Sequence, residues 1–527
     1  MIKIVKIIIG YIKKLIRTLW GGRLIKLHKG EINIRKSYDQ INRFLEDKNL
    51  IIASNRGPVE FFYEDNGKID MKVGAGGIVP TLLPFMEKTG GTWVASAMTD
   101  ADNEMAGRFR ENRIPVPLEK PKLNVQFMVL DKQKYYEFYN SFNNPFLWFI
   151  HHYLWNLTYT PEIDDNTHSA WQSYQYVNRM FANEIIKEVN LSDKEPLIML
   201  QDTHLQTCPS FIREKSDDIF LSQFIHIPWP QSDYFNIYPR YIREAIIEGL
   251  LSNDHIGFHI ERYVKNFLMT CQDYADEVDY KNNIVHYNGR EVFVKNYPIS
   301  VDTGKLNELA KSDEVLKQEQ YVKKIKGNNF LIYRTERTDP SKNIVRGFKA
   351  YDLFFQKHPE FKGKVTFFIT GVASRESVKE YRDYKMEVNN IIHEINRKYS
   401  KEEWQPIVPH FDAEYSLVTA AFKNYDCLLI NSINDGMNIV PKEGSIVNEN
   451  DGVLIISETT GAYDELKENA IGINALDISQ TADAIYKAVT MNQNERKERL
   501  GGLKETICQY DVYSWIGEQF NDIQKLF

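Results

Sequence analysis

Arg337 and Lys342 stand five residues apart in the segment RTERTDPSKNIV (334–345), where an apolar run hands over to a helical pattern. Two fixed cations beside a helix start suit an anion, because the unpaired N–H groups and the positive end of the helix dipole already favour negative charge there. Asp339 is the expected N-cap and Pro340 the expected first helical residue, which puts Lys342 in the first turn. Charges so placed could hold a diphosphate and offset the negative charge that grows on it as it leaves. A solvated turn is the bland alternative, and Arg334, on the strand itself, fits only that one.

A second cluster lies in CLLINSINDGMNIVPKEG (427–444). Asp435, Gly436, Met437 and Asn438 follow an apolar strand, so the Asp435 carboxylate and the backbone amides face the same strand ends. With Asn438 as N-cap, Pro441 falls in the first helical turn, where its missing N–H costs nothing. Glu443 comes about one turn later and could accept hydrogen bonds from a ribose diol. A surface glutamate favoured by the helix dipole is the competing reading.

The first half supplies matching groups. Arg56 ends the run IIASNRGPV (51–59), and GAGGIV (74–79) is a glycine-rich turn into a helix that could admit a phosphate or sugar close to the backbone, Gly76 included. Asp202 and His204 end the strand of LIMLQDTHLQ (197–206), and His226 ends that of SQFIHIPWP (222–230). A lone histidine beside proline and tryptophan is more often a satisfied core residue. Several polar groups at successive strand ends argue for one shared cleft.

These positions need a scaffold of buried parallel strands. Apolar runs at 50–54, 92–97, 124–130, 197–201, 220–226, 329–333, 365–370, 426–431 and 453–457 read as strands covered on both faces, and segments such as 261–274 and 344–355 carry helical periodicity. That alternation predicts an α/β fold of doubly wound sheets. It restarts after VFVKNYPISVDTG (292–304), so the expected organisation is an extension at 1–47, a first domain at 48–295, a second at 296–495 and a C-terminal helix at 496–527.

Composition sets limits. The 527 residues are 43% hydrophobic and 26% charged, as in an ordinary globular protein. A formal charge of −7 argues against a nucleic-acid footprint over the whole surface. Cys208, Cys271, Cys427 and Cys508 lie far apart with no C-x-x-C, which fits a reducing cytoplasm and no zinc or disulfide framework. Residues 1–30 hold eight Lys and Arg and no acid. Lys3, Lys6, Lys13, Lys14 and Arg17 fall within an arc of roughly 100° on a helical wheel. This basic amphipathic helix either lies on an anionic membrane at the inner surface, with Trp20 at the boundary, or packs on its own globule or a second subunit. It is too short in apolar run to span a bilayer.

SNRGP, GAGG, YNSFNNPFLW (139–148), QDTHL, HIPWP, EGLLSNDHIGFH (248–259), RTERTDPSK, ASRESVKEY (373–381), DGMNIVPKEG and GVLIISETTGA (452–462) together resemble glycosyltransferase family 20, the trehalose-6-phosphate synthases, in order over about residues 50–495. The resemblance implies the glycosyltransferase-B fold, two Rossmann-like domains facing a cleft. It implies a retaining transfer of glucose from a nucleotide-glucose of the UDP or GDP type to glucose 6-phosphate, forming trehalose 6-phosphate without cofactor or metal. The departing diphosphate oxygen would take the acceptor's proton. Carried over, Arg337 and Lys342 would hold the diphosphate with Gly76 near it, and Glu443 the ribose. Asp435, Gly436, Met437 and Asn438 would surround the donor sugar with His226 beside it. Arg56, Tyr139, Trp148 and Arg375 would hold the acceptor and its phosphate, as two guanidiniums suit a phosphomonoester, and Asp202 its hydroxyls.

Departures from the family pattern fall at Thr203, at Asn343 where glycine is usual, at Asn434 where arginine is usual, and at Pro441. They bear on substrate identity, with Asn343 the first place to look, and leave open acceptors of the glucosylglycerol-phosphate or validoxylamine type. Catalytically silent, sugar-phosphate-binding subunits also occur among relatives, but silence gives no reason to keep Arg337, Lys342, Asp435 and Glu443 together. A separate phosphatase acting downstream and a homo-oligomer are the other expected partners.

Overall fold

The computed structural model describes residues 41–74 and 78–527. The basic helix expected within 1–30 and Gly76 lie outside the described residues.

In chain order the first series of strands is β1 (Lys48–Ser54), β2 (Val59–Tyr63), β3 (Ile69–Val73), β4 (Thr92–Ser96), β5 (Arg113–Val116), β6 (Leu123–Met128), β7 (Glu195–Gln201), β8 (Phe220–Phe224), β9 (His255–Phe258), β10 (Glu277–Asp279), β11 (Ile284–Tyr287) and β12 (Arg290–Asn296). The second is β13 (Phe330–Arg337), β14 (Val365–Val372), β15 (Ile407–Phe411), β16 (Cys427–Ile430), β17 (Val453–Ser457) and β18 (Ile471–Ile473). The first series forms a sheet ordered β10-β11-β12-β9-β8-β7-β1-β4-β6-β5, with β2 and β3 pairing as a separate hairpin; the second forms a sheet ordered β15-β14-β13-β16-β17-β18.

All pairings of the second sheet are parallel. So is the run from β12 to β6 in the first, with antiparallel strands added at both edges. The apolar runs become strands because helices cover both faces: every residue of β4, β8, β9, β16 and β17 is buried. Trp93, Leu197 and Leu221 belong to one core, and Ile332, Phe348, Phe367 and Leu429 to another. Each fully buried side chain of this size contributes about 1.5–3 kcal/mol.

Two strand ends that bear on the cleft differ from expectation. The strand expected at 220–226 stops at Phe224, so His226 lies beyond it, and the one expected at 329–333 continues to Arg337. The short edge strands β5 and β10 are mixed in polarity, without a long apolar run.

The chain crosses between the two halves twice, side by side. Leaving β12 it passes through 297–302 to the helix Thr303–Leu309, and after the helix Gln493–Gln509 it returns as the helix Val512–Leu526. The Val512 amide donates to the Val301 carbonyl at 3.3 Å, and the Tyr513 hydroxyl to Asp302 at 2.6 Å. The returning helix is anchored on the first half by Asp522, which pairs with Lys295 at 2.6 Å, and by the Trp515 indole, which donates to the Tyr297 carbonyl.

Strand ends of the two sheets face each other, and the 435–438 loop after β16 meets the segment after β8. A Cβ on Gly436 would stand 2.1 Å from the His226 carbonyl oxygen, and one on Gly461 2.1 Å from the Gly436 oxygen. The Tyr263 hydroxyl donates to the Asp435 carbonyl at 2.8 Å, and the Ser377 hydroxyl to Asn140 at 2.9 Å.

Gly436→Ala is therefore expected to lower the unfolding midpoint by about 1–3 °C, from overpacking of about 1–3 kcal/mol. Gly501→Ala, in an exposed helical position with open space around it, is expected to hold or raise it. Differential scanning calorimetry of the two variants checks the contrast.

Candidate active site

Arg337 is the last residue of β13, and the turn after it is tighter than the sequence pattern implies. Asp339 caps it, its Oδ1 accepting from the Ser341 amide at 2.9 Å and the Ser341 hydroxyl at 2.8 Å. The capped element is a single 3₁₀ turn, Pro340–Lys342. Asn343 then adopts a left-handed conformation, φ 58° and ψ 37°, and the α-helix begins only at Ile344. Lys342 is thus not in the first turn of that helix, and the Ile344 amide is taken by the Tyr384 hydroxyl at 2.6 Å. Positive charge at this strand end comes from side chains, not from an open helix terminus.

Asn343 has a backbone explanation. A left-handed residue is ordinarily glycine, with asparagine the next most tolerant. Its amide donates to the carbonyls of Asn431 at 2.9 Å and Ala475 at 2.7 Å, and its oxygen accepts from Arg346. This geometry accounts for an asparagine at a position that otherwise favours glycine. Arg334 is fully buried, its guanidinium donating to the Lys342 carbonyl and to Asn431, so it holds the turn rather than an anion.

Lys342 is 8% exposed, and its ammonium lies 2.5 Å from Asp435 and 3.5 Å from Glu336. Burial acts to lower its pKa, but the two carboxylates outweigh burial and hold it above the usual lysine value. Asp435 also accepts from Ser432 at 3.2 Å and from Asn438 at 3.1 Å. Asn438 is left-handed, φ 63°, and its side-chain oxygen accepts from the Val440 amide. Ile439 occupies the N-cap backbone position expected for Asn438, and Pro441 sits in the first turn of Val440–Val447. Met437 is buried beside this loop. Glu443, in the same first turn, accepts from the Tyr415 hydroxyl at 2.7 Å, and burial pushes its carboxyl up to about 7.

Across the cleft, Trp148 is flanked by cations. The Arg375 guanidinium carbon lies 4.2 Å from the indole centre and that of Arg337 5.3 Å, within cation–π range. Arg375, itself left-handed at φ 46°, donates to Asp339 at 3.1 Å and to the Tyr381 hydroxyl at 2.7 Å. Tyr139, in π-helical turns over Glu137–Leu147, stacks on His204 with ring centres 5.9 Å apart. Burial acts to raise the Tyr139 pKa, yet Arg375 and Arg56 outweigh it and hold the phenol below its usual value. Arg56 is exposed at the end of β1.

Asp202 follows β7 at φ 70°, ψ 179°, a backbone region that costs a non-glycine residue on the order of 1–3 kcal/mol. Its Oδ1 accepts from the His226 amide at 3.3 Å, and burial raises its carboxyl pKa. The His226 Nε2 is 3.0 Å from the Gln201 side-chain oxygen, and burial keeps the ring pKa well below 6.5, so it is uncharged at neutral pH. Among the described residues no cluster of histidine, cysteine, aspartate or glutamate is arranged to hold a metal ion.

Three contributors escaped the sequence reading. Asp339 was legible only as a cap. Tyr384 and Tyr415 reach the turn and Glu443 from separate helices 28 residues or more away in sequence, and no local pattern marks them.

The chain matches the model of Glycosyltransferase family 20 over residues 48–525. It is 30% identical over 490 residues to the UDP-forming alpha,alpha-trehalose-phosphate synthase of Schizosaccharomyces pombe, covering 91% of each chain. Its structure is similar to that of a UDP-forming synthase from Burkholderia xenovorans solved with glucose-6-phosphate, at 26% identity and a TM-score of 0.78, covering 90% of this chain and all of that one. It is similar, too, to an E. coli structure solved with UDP-2-fluoro glucose, at 26% identity and a TM-score of 0.76, covering 91% of this chain and 98% of that one. With nearly all of the two facing α/β halves matched, the chain belongs to glycosyltransferase family 20.

Proposed function

We propose that this chain transfers glucose from UDP-glucose to glucose 6-phosphate with retention, releasing UDP and forming trehalose 6-phosphate. One observation carries the reading: Arg337 and Arg375, from neighbouring strand ends of one sheet, converge on Trp148 from the other half of the molecule, with Lys342 behind them. In this reading residues 296–495 hold the donor and 48–295 most of the acceptor, with 496–527 returning to the first domain. Arg337 and Lys342 bind the diphosphate, helped by Gly76, and Glu443 binds the ribose. Asp435, Gly436, Met437 and Asn438 surround the donor glucose, and uncharged His226 lies beside it. Arg56, Tyr139, Trp148 and Arg375 hold the acceptor phosphate, and Asp202 its hydroxyls.

The acceptor hydroxyl attacks the anomeric carbon from the face the diphosphate leaves. The C–O bond to the diphosphate breaks as the new glycosidic bond forms, and the departing oxygen takes the hydroxyl proton. Arg337 and Lys342 stabilise the charge that grows on that oxygen, a term that strengthens in the transition state and so raises kcat. Lys342 begins neutralised by Asp435 and Glu336, so its ammonium is already oriented and partly desolvated.

The relatives named for glucose-6-phosphate and UDP support these substrates. A separate phosphatase would release free trehalose from the product, in the cytoplasm. Residues 1–30 would lie on a membrane or pack on the chain's own globule or a second subunit; equal liposome flotation of the full chain and a chain lacking them ends the membrane reading. Among the described residues no helix is long and apolar enough to cross a membrane.

Arg337→Ala and Lys342→Ala are each expected to lower kcat by about 10²–10³-fold; undiminished transfer by the double variant sinks the assignment. Glu443 gives a pH signature. Because its carboxyl titrates near 7, a ribose held by the carboxylate binds more tightly as pH rises through that value, and UDP affinity should increase between about pH 6 and 8. Glu443→Gln should bind UDP roughly 10-fold more weakly at high pH and lose that rise. Calorimetric titration of both proteins against UDP across the range checks it.

A further inference from the structure

Asp339 is fully buried, and its two carboxylate oxygens serve different ends. Oδ1 accepts both bonds from Ser341 and closes the 3₁₀ turn. Oδ2 faces outward to two guanidiniums, Arg375 at 3.1 Å and Arg337 at 3.7 Å. Burial acts to raise the Asp339 pKa, but Arg375, Arg337 and His152 outweigh it and hold the carboxyl below its usual value. His152 in turn stacks on Trp148 with ring centres 4.1 Å apart. One carboxylate and one indole therefore bracket two arginines that the proposed function gives to different anions, the donor diphosphate and the acceptor phosphate.

Two guanidiniums this close repel each other, and without a fixed anion between them each would swing toward solvent or toward whichever phosphate arrives first. We infer that Asp339 is a positioning residue that fixes the spacing between the donor's and the acceptor's phosphate-binding arginines, and with it the approach of the acceptor hydroxyl to the anomeric carbon. This rests on the proposed function and extends it to a residue to which that reading gives no substrate. It carries a cost with a distinctive sign. A buried negative charge competes with both substrate phosphates for the same guanidiniums, so it weakens binding in the ground state while holding the geometry that the transition state needs.

The test is Asp339→Asn. Asparagine is as good an N-cap as aspartate, so the Ser341 contacts and the turn survive and only the charge is lost. The expected result is a kcat for trehalose 6-phosphate formation lower by about 10–100-fold, with KM for UDP-glucose and glucose 6-phosphate unchanged or lower. The separate dissociation constants for UDP and glucose 6-phosphate should likewise not rise. Asp339→Ser, which also keeps a capping oxygen, gives the same reading if the asparagine variant folds poorly, with the thermal midpoint as the check on folding. A raised KM at unchanged kcat, or wild-type values of both, overturns the inference while leaving the proposed function intact. Wild-type protein that binds neither UDP nor glucose 6-phosphate overturns both.

Discussion

Three backbone segments, around Gly461, Gly436 and His226, lie against one another with no side chain between them, and the rest of the cleft takes its dimensions from that stack. The loop after β16 can meet the segment after β8 only because nothing projects from Gly436. That meeting brings the Asp435 carbonyl to the Tyr263 hydroxyl, while the Asp435 carboxylate turns back to Lys342 within its own half. The approach of the two halves here is thus set by main chain rather than by side chains.

Around that contact several of the site's buried charges are compensated. Lys342 has Asp435 and Glu336, Asp339 has Arg375 and Arg337, and Lys442, next to Glu443, has Glu465 at 2.6 Å and the Ile299 carbonyl at 2.8 Å. Removing a single partner from such a pair leaves a desolvated charge, which costs more than the pair contributes. The arrangement is therefore weak evidence for stability and good evidence for orientation. Several of its members also occupy strained backbone: Asp202, Asn343, Arg375 and Asn438 all have positive φ. Strain of this kind persists where surrounding structure over-determines a conformation, and here it gathers at the strand ends that line one cleft.

The α/β alternation was legible because strands covered on both faces read as unbroken apolar runs, as β17 does in VLIIS. Charged residues at strand ends, Arg337 and Asp435 among them, were legible because the fold brings such ends to one edge. What escaped depends on distance in sequence or on torsion. Nothing near Glu443 announces Tyr415, nothing near Ile344 announces Tyr384, and nothing beside Asn343 announces its left-handed backbone. The cap at Asp339 was foreseen, but its second oxygen, turned toward two arginines, was not, since that needs the loop after β14 to fold back.

The paired crossings of the chain have a mechanical meaning. A body joined to another by one strand can swing and twist freely, whereas a body joined by two adjacent strands behaves like a door on two pins. The segment at 297–302 and the start of the helix Val512–Leu526 are hydrogen-bonded to each other, so they mark one line. Twist about an axis across that line would strain both crossings at once. A movement that parted the Gly436 and His226 backbones would therefore be confined to a single angle, and the strand ends of the two sheets would meet again in the same register.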